Sequence, residues 1–177
     1  MSDLVIATGE RHREIQKHEY FLRPGYIFLS RGPTLVYTVL GSCVSVCLWD
    51  RKNNFGGINH FLYPIITEPR KATANYGNVS IPALVRMMLS EGSEKSSLEA
   101  QIFGGRDLYY VKEPGIGSQN VIVARKVLNQ QGIRVASEDV GGNKGRKLIY
   151  YSGTNEIVVL KIDRIRRDDW YPYNPSP

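Results

Sequence analysis

YTVLGSCVSVCLWDRKNNFGGINHFLYP, residues 37–64, decides how this chain is read. From Val44 its residues alternate. Val44, Val46 and Leu48 face one way; Cys43, Ser45, Cys47 and Trp49 face the other. A period of two is the signature of a β-strand. Asp50–Gly57 carries two Asn and two Gly and reads as a loop, and Ile58–Tyr63 as the return strand, closed by Pro64. The hairpin brings Cys43, which follows Gly41 and Ser42, onto the same sheet as His60, seventeen residues later.

Those two residues carry a chemistry. A thiolate is a strong nucleophile, and a neighbouring histidine or backbone donors generate it by taking up or stabilising the charge. Glycine just before the cysteine lets the chain bend and lets a substrate carbonyl approach backbone N–H groups, so Gly41 and Ser42 are candidates for oxyanion support. This setting predicts a Cys43 thiol titrating below the usual value of about 8.5. The competing reading makes Cys43 a buried small hydrophobe and His60 a satisfied core residue. Cys47 reads as core filling. His12 and His18 lie in a polar N-terminal segment and are expected to face solvent.

Other chemistries fit less well. Cys43, Cys47 and His60 lack the fourth protein ligand of a structural zinc site. Gly141-Gly142-Asn143-Lys144-Gly145-Arg146 has Arg146 where a P-loop needs lysine. A papain-like peptidase places its histidine well over about a hundred residues after the cysteine.

Outward from the hairpin, Tyr26–Ser30 and Leu35–Leu40 read as strands. Ile81, Leu84, Val85, Met88 and Leu89 fall on one helical face, with Ser80 as candidate N-cap and Gly92 as stop. Leu98–Phe103 is a strand running into Gly104-Gly105. Asn120 is a candidate cap for a helix Val121–Gln131 ended by Gly132. Ile133–Ser137 is a strand, Glu138–Lys147 a basic glycine-rich loop, and Leu148–Tyr151 with Glu156–Ile162 a closing hairpin. Two helices among about eight strands make an α+β fold with one mixed core.

At 177 residues, 42% of them hydrophobic, the chain is expected to form one domain. Its net charge of +6 favours acidic partners. The positive charge is scattered, so nucleic acid is not expected. Cys43 and Cys47 on one strand stand about 13 Å apart, too far for a disulfide, which fits a reducing, cytoplasmic setting. The N-terminus lacks the order of a signal peptide. The longest uncharged run, Leu35–Trp49, is shorter than the roughly 20 residues that cross a bilayer, so no membrane insertion is expected.

Several stretches together resemble the bacterial chemoreceptor glutamine deamidase CheD family. They are Leu22-Arg23-Pro24-Gly25, Thr38-Val39-Leu40-Gly41-Ser42-Cys43-Val44, Asn59-His60 with Pro64, Tyr76-Gly77, Phe103-Gly104-Gly105, Ile116-Gly117 with Asn120, and Glu138-Asp139 through Gly141-Gly142 to Gly145-Arg146-Lys147. Arg106-Asp107 departs from the small or apolar residues expected after the glycine pair. The resemblance implies a mixed β-sandwich flanked by helices, similar to toxin-type cysteine deamidases. It implies Cys43 as nucleophile, His60 as general base and acid, and a threonine shortly before the cysteine as third residue. Thr38 is the nearest threonine, with Tyr37 competing for the aligned position. It also implies methyl-accepting chemoreceptor cytoplasmic domains as substrate, a CheC-type phosphatase as a further partner, and no cofactor or metal. The expected layout is a polar segment 1–20, a deamidase domain 21–162 and a tail 163–177, partly disordered. The alternative is a non-catalytic chemotaxis adaptor that binds receptors or the phosphatase. An apolar rim of Val44, Phe61 and Leu62 is expected to receive a helical substrate, with no charge nearer to Cys43 than Asp50, Arg51 and Lys52.

Overall fold

The computed structural model describes residues 18–107, 113–166 and 169. Among these, nine strands and two α-helices form three layers. One sheet has the order β1-β3-β8-β9 and the other β2-β5-β4-β6-β7. In chain order the strands are β1 (His18–Phe21), β2 (Ile27–Ser30), β3 (Thr34–Leu40), β4 (Val44–Asp50), β5 (Phe55–Asn59), β6 (Leu98–Gly104), β7 (Arg134–Val140), β8 (Gly145–Tyr151) and β9 (Glu156–Ile162). The helices are α1 (Gly77–Ser90) and α2 (Ile116–Gln130). The expected α+β sandwich flanked by helices is the observed architecture.

Two apolar clusters divide the core. Val36, Leu40, Cys47, Ile58, Phe103, Leu148 and Tyr150 fill the space between the sheets. Val44, Val46, Leu48 and Phe61 pack with Ile81, Leu84 and Met88 of α1 and Val121, Ala124 and Leu128 of α2. The alternation along β4 therefore sorts its residues between two different partners, as the period of two requires.

The hairpin turn is tighter than its Asn/Gly content predicts. Phe55, Gly56 and Gly57 are strand, paired with Asp50, Trp49 and Leu48. The turn closes at Asn54, which takes a left-handed φ of 54°. Asp50 accepts the backbone N–H groups of Lys52 and Asn53. The return strand ends at Asn59, not Tyr63. Asn59 Oδ1 takes the Val46 N–H at 2.8 Å, so a side chain replaces a rung of the ladder. Pairing resumes between Val44 and Phe61.

The helix starts also differ from expectation. α1 begins after Tyr76, three residues before its expected cap, Ser80, which lies buried inside the helix. α2 begins after Gly115, and Asn120 is an interior residue. The α2 N-terminus is capped from a distance by Asp107, which accepts the N–H groups of Gly117 and Ser118 at 3.1 and 2.8 Å. A carboxylate there satisfies orphan donors and opposes the helix dipole, which gives a physical role to the departure at Arg106-Asp107.

Residues 138–147 are a loop only at 141–144. Arg146, buried, donates to Asp139 at 2.7 Å and to the Gly141 carbonyl at 3.0 Å, tying the end of β7 to the start of β8. His18 opens β1 and is exposed. His12 and the rest of the segment 1–17 lie outside the described residues, as does most of the tail. No helix among the described residues is long and apolar enough to cross a membrane.

Candidate active site

Cys43 lies just before β4, and the Val44–Phe61 and Cys47–Ile58 pairs fix what it faces. In that register Leu62 stands across from Cys43 and Ser45 across from His60. All four side chains share the face turned toward β3. Cys43 and His60 are then diagonal neighbours, a relation of about 7–8 Å between backbones that side chains can bridge.

His60 is fully buried. Its backbone bonds to the β2 side, with its N–H donating to the Tyr26 carbonyl and its carbonyl accepting the Gly25 N–H. Thr38 reaches the ring from the other sheet, its Oγ1 2.8 Å from His60 Nδ1. Thr38 points inward with Val36 and Leu40. Tyr37 points outward, stacks on Phe21 and donates its hydroxyl to Glu19. The geometry therefore puts Thr38, not Tyr37, on the imidazole.

Hydrogen-bond arithmetic fixes the tautomer. The single Thr38 hydroxyl proton goes to the Leu22 carbonyl at 2.9 Å. Toward Nδ1 the same oxygen must accept, so Nδ1 carries the proton and the lone pair sits on Nε2. Burial pushes the imidazole down to about 3, against an upward pull from the Leu22 carbonyl. The ring is neutral at physiological pH.

Burial also raises the Cys43 thiol, and backbone hydrogen bonding from Cys43 itself and from Gly41 only partly offsets it. The expected depressed thiol is thus not observed. With both groups desolvated, the neutral thiol–imidazole pair is favoured over the ion pair. Cys47 is raised further by complete burial and lies in the core between the sheets.

The nucleophile loop is held by its carbonyls. Gly41 accepts the Arg106 N–H at 2.9 Å, and Cys43 accepts the Gly105 N–H at 2.8 Å. Ser42 accepts Asn120 Nδ2 at 2.9 Å. Ser42 thus contributes through its carbonyl, while the donors acting on the sulfur belong to Gly41 and Cys43. The 104–106 turn is seated on α2 by two glycines. Gly105 has φ +68°, and a Cβ on Gly117 would fall 2.3 Å from the Arg106 carbonyl oxygen. A side chain at either position would push the turn away from the loop.

The expected apolar rim is different. Val44 and Phe61 are fully buried against the helices, and only Leu62 is half-buried. Tyr63, Ile65 and Tyr26, 47%, 52% and 55% exposed, are the large apolar side chains on the segments flanking His60. Nor are Asp50, Arg51 and Lys52 the nearest charged residues, because the fold brings Arg106 against Gly41. Sequence reasoning missed Leu22 as acceptor, Asn59 as ladder plug and Asn120 as clamp. Only Asn120 left a signal, a polar residue within an otherwise apolar helical stripe.

The family model described as CheD chemotactic sensory transduction matches residues 65–161, C-terminal to Thr38, Cys43 and His60. The chain is 39% identical to a probable chemoreceptor glutamine deamidase CheD of Geobacter sulfurreducens, over 84% of this chain and 92% of the relative. It is 39% identical to one from Anaeromyxobacter dehalogenans, over 88% and 92%. A third, from Sulfurimonas denitrificans, is 30% identical over 81% and 94%.

Proposed function

From the premise that this chain belongs to the CheD family, we propose that it is a protein-glutamine deamidase acting on chemoreceptor cytoplasmic domains, with Cys43 as nucleophile. The observation that carries the assignment of roles is the Leu22–Thr38–His60 relay, which leaves a neutral imidazole with its lone pair on Nε2, on the face that also carries Cys43.

The steps follow from that state. His60 Nε2 takes the Cys43 proton as Sγ bonds to the carboxamide carbon of a substrate glutamine. Charge moves onto the carboxamide oxygen, where the N–H groups of Gly41 and Cys43 are the candidate donors, each such donor being worth about 3 kcal/mol. Collapse breaks the C–N bond, and His60 hands the proton to the departing ammonia. Water then attacks the glutamyl thioester. His60 takes its proton and returns it to sulfur as glutamate leaves. Thr38 holds the imidazole in the reacting tautomer throughout.

The exposed Tyr26, Tyr63 and Ile65 suit contact with a helical receptor surface, and the +6 charge suits an acidic one. A cytoplasmic location goes with such a substrate. A CheC-type phosphatase is a second partner under the same reading, and domain limits of 21–162 enclose β2 to β9 and both helices, leaving His18–Tyr20 of β1 in the N-terminal segment. The test is peptide mass spectrometry of a receptor cytoplasmic fragment, with ammonia release from free glutamine as control, each at low and high salt. Gln-to-Glu conversion that falls with salt, against little or no release from glutamine, is expected, because screening over about 8 Å weakens encounter. Receptor binding without conversion would leave the adaptor reading in its place.

A further inference from the structure

α2 bonds to the nucleophile loop through Asn120. Asn120 is fully buried, and its Nδ2 donates to the carbonyls of Ser42 and Leu62, both at 2.9 Å. Because both neighbours are acceptors, the amide nitrogen must face them, and its two protons serve the two bonds at once. β4 and the return segment exchange their last backbone bonds at Val44–Phe61. Beyond that point Asn120 takes the place of the next rung, joining the residue before Cys43 to the residue across from it.

The Ser42 carbonyl and the Cys43 N–H belong to one peptide plane. In a trans peptide they point in opposite directions. Anchoring the carbonyl on α2 therefore aims the Cys43 N–H away from α2 and toward the sulfur, the side on which it acts on the thiolate. The peptides on either side are anchored by backbone donors, Arg106 to Gly41 and Gly105 to Cys43. The Ser42 peptide is anchored by a side chain, so a single substitution can release it.

We propose that Asn120 is a positioning residue for the reaction, holding the Ser42–Cys43 peptide so that the Cys43 N–H faces the developing oxyanion. It touches neither substrate nor sulfur and acts through the Ser42 carbonyl. The catalytic consequence rests on the deamidase reading; the orientation of the peptide does not.

Two variants and two readouts test it. Asn120→Leu keeps the volume and removes both donors, and Asn120→Ser keeps one small donor if the larger change fails to fold. With receptor fragment as substrate, kcat should fall about 10²-fold for the leucine variant while KM stays within about 3-fold, as for loss of an oxyanion donor. The serine variant should fall between it and the parent. Iodoacetamide modification of Cys43 against pH needs no substrate. Its midpoint should move upward in both variants, because the thiolate loses a donor. An unshifted midpoint in a variant whose circular dichroism matches the parent would overturn the proposal, as would lower melting temperature with kcat unchanged. If the parent modifies no receptor glutamine, the deamidase reading fails, and the alkylation profile still decides the peptide.

Discussion

Val44, Val46 and Leu48 on one face of β4 meet Ile81, Leu84 and Met88 of α1, while the other face turns Cys43, Ser45 and Cys47 toward the second sheet, from which Thr38 reaches His60. The first interface is apolar on both sides and stabilises by area removed from water. The second buries hydroxyl, thiol and imidazole groups, each costing about 1–3 kcal/mol unless hydrogen-bonded. Leu22, Thr38 and His60 Nδ1 meet that demand among themselves, whereas the buried Ser45 hydroxyl has no hydrogen-bond partner among the described residues. One strand thus has a face that holds the fold and a face that holds a neutral acid–base pair, and the two should fail differently.

The largest expected difference separates Cys43→Ala from Leu84→Ala. Loss of the thiol should lower deamidation by about 10³-fold or more and shift stability by less than about 1 kcal/mol. Truncating Leu84, fully buried against Gly57, should cost about 2–5 kcal/mol and leave turnover per folded molecule near the parent level. Urea unfolding and glutamine conversion at low temperature read the two effects separately. A Leu84 variant that is stable yet inactive would erase the distinction between the faces.

Within the polar face the effects should be graded. His60→Ala should approach Cys43→Ala, and the double variant should be no slower than either, since residues of one catalytic unit are not additive. Thr38→Val should cost about 10–100-fold, the usual range for a residue that orients another's imidazole, and Thr38→Ser should recover most of it. If valine and serine behave alike, Thr38 packs but does not orient the ring.

How far the sequence carried this picture follows from which interactions are local. The alternation from Val44 to Trp49 gave β4 and its two faces, one residue short of its observed end at Asp50, and the spacing of Ile81, Leu84, Val85 and Met88 gave the buried stripe of α1. Cys43 and His60 could be paired because one hairpin joins them. Thr38 could be named by resemblance, but its place on the imidazole depends on how two sheets stack, which no local pattern encodes. The starts of α1 and α2 were misplaced for a similar reason. Asp107 caps α2 from across a loop, and Ser80 and Asn120, good caps by type, are interior residues with other surroundings. Val44 and Phe61 were expected at a rim because their apolar character is visible in sequence, whereas the helices that cover them come later in the chain.

The smallest expected effect is on stability against pH, and it belongs to the polar face alone. His60 is held near 3 in the fold, while an unfolded chain titrates it near about 6.5. Between those values the unfolded state binds a proton that the folded state does not, so stability rises with pH. The contribution is complete above about 6.5 and is lost as pH falls toward 3, by at most about 1.4 kcal/mol per unit. Asp50 does not confuse the window. Burial pulls its carboxyl up, hydrogen bonds from Ser93, Asn53 and Ser97 outweigh that pull, and its contribution is lost only below about 4. Urea unfolding at pH 6.5 and 5.0 should therefore show the parent losing stability, His60→Gln losing less, and Leu84→Ala keeping the parent's slope, because Asp50, which shares the helix face of β4 with Val44, Val46 and Leu48, changes its contribution only below that range. The acid limb of kcat/KM should likewise fall below pH 6.5, since the base stays neutral there. Equal slopes in the parent and His60→Gln would mean that the imidazole is already protonated or wet in the folded protein, and the neutral pair would have to be abandoned.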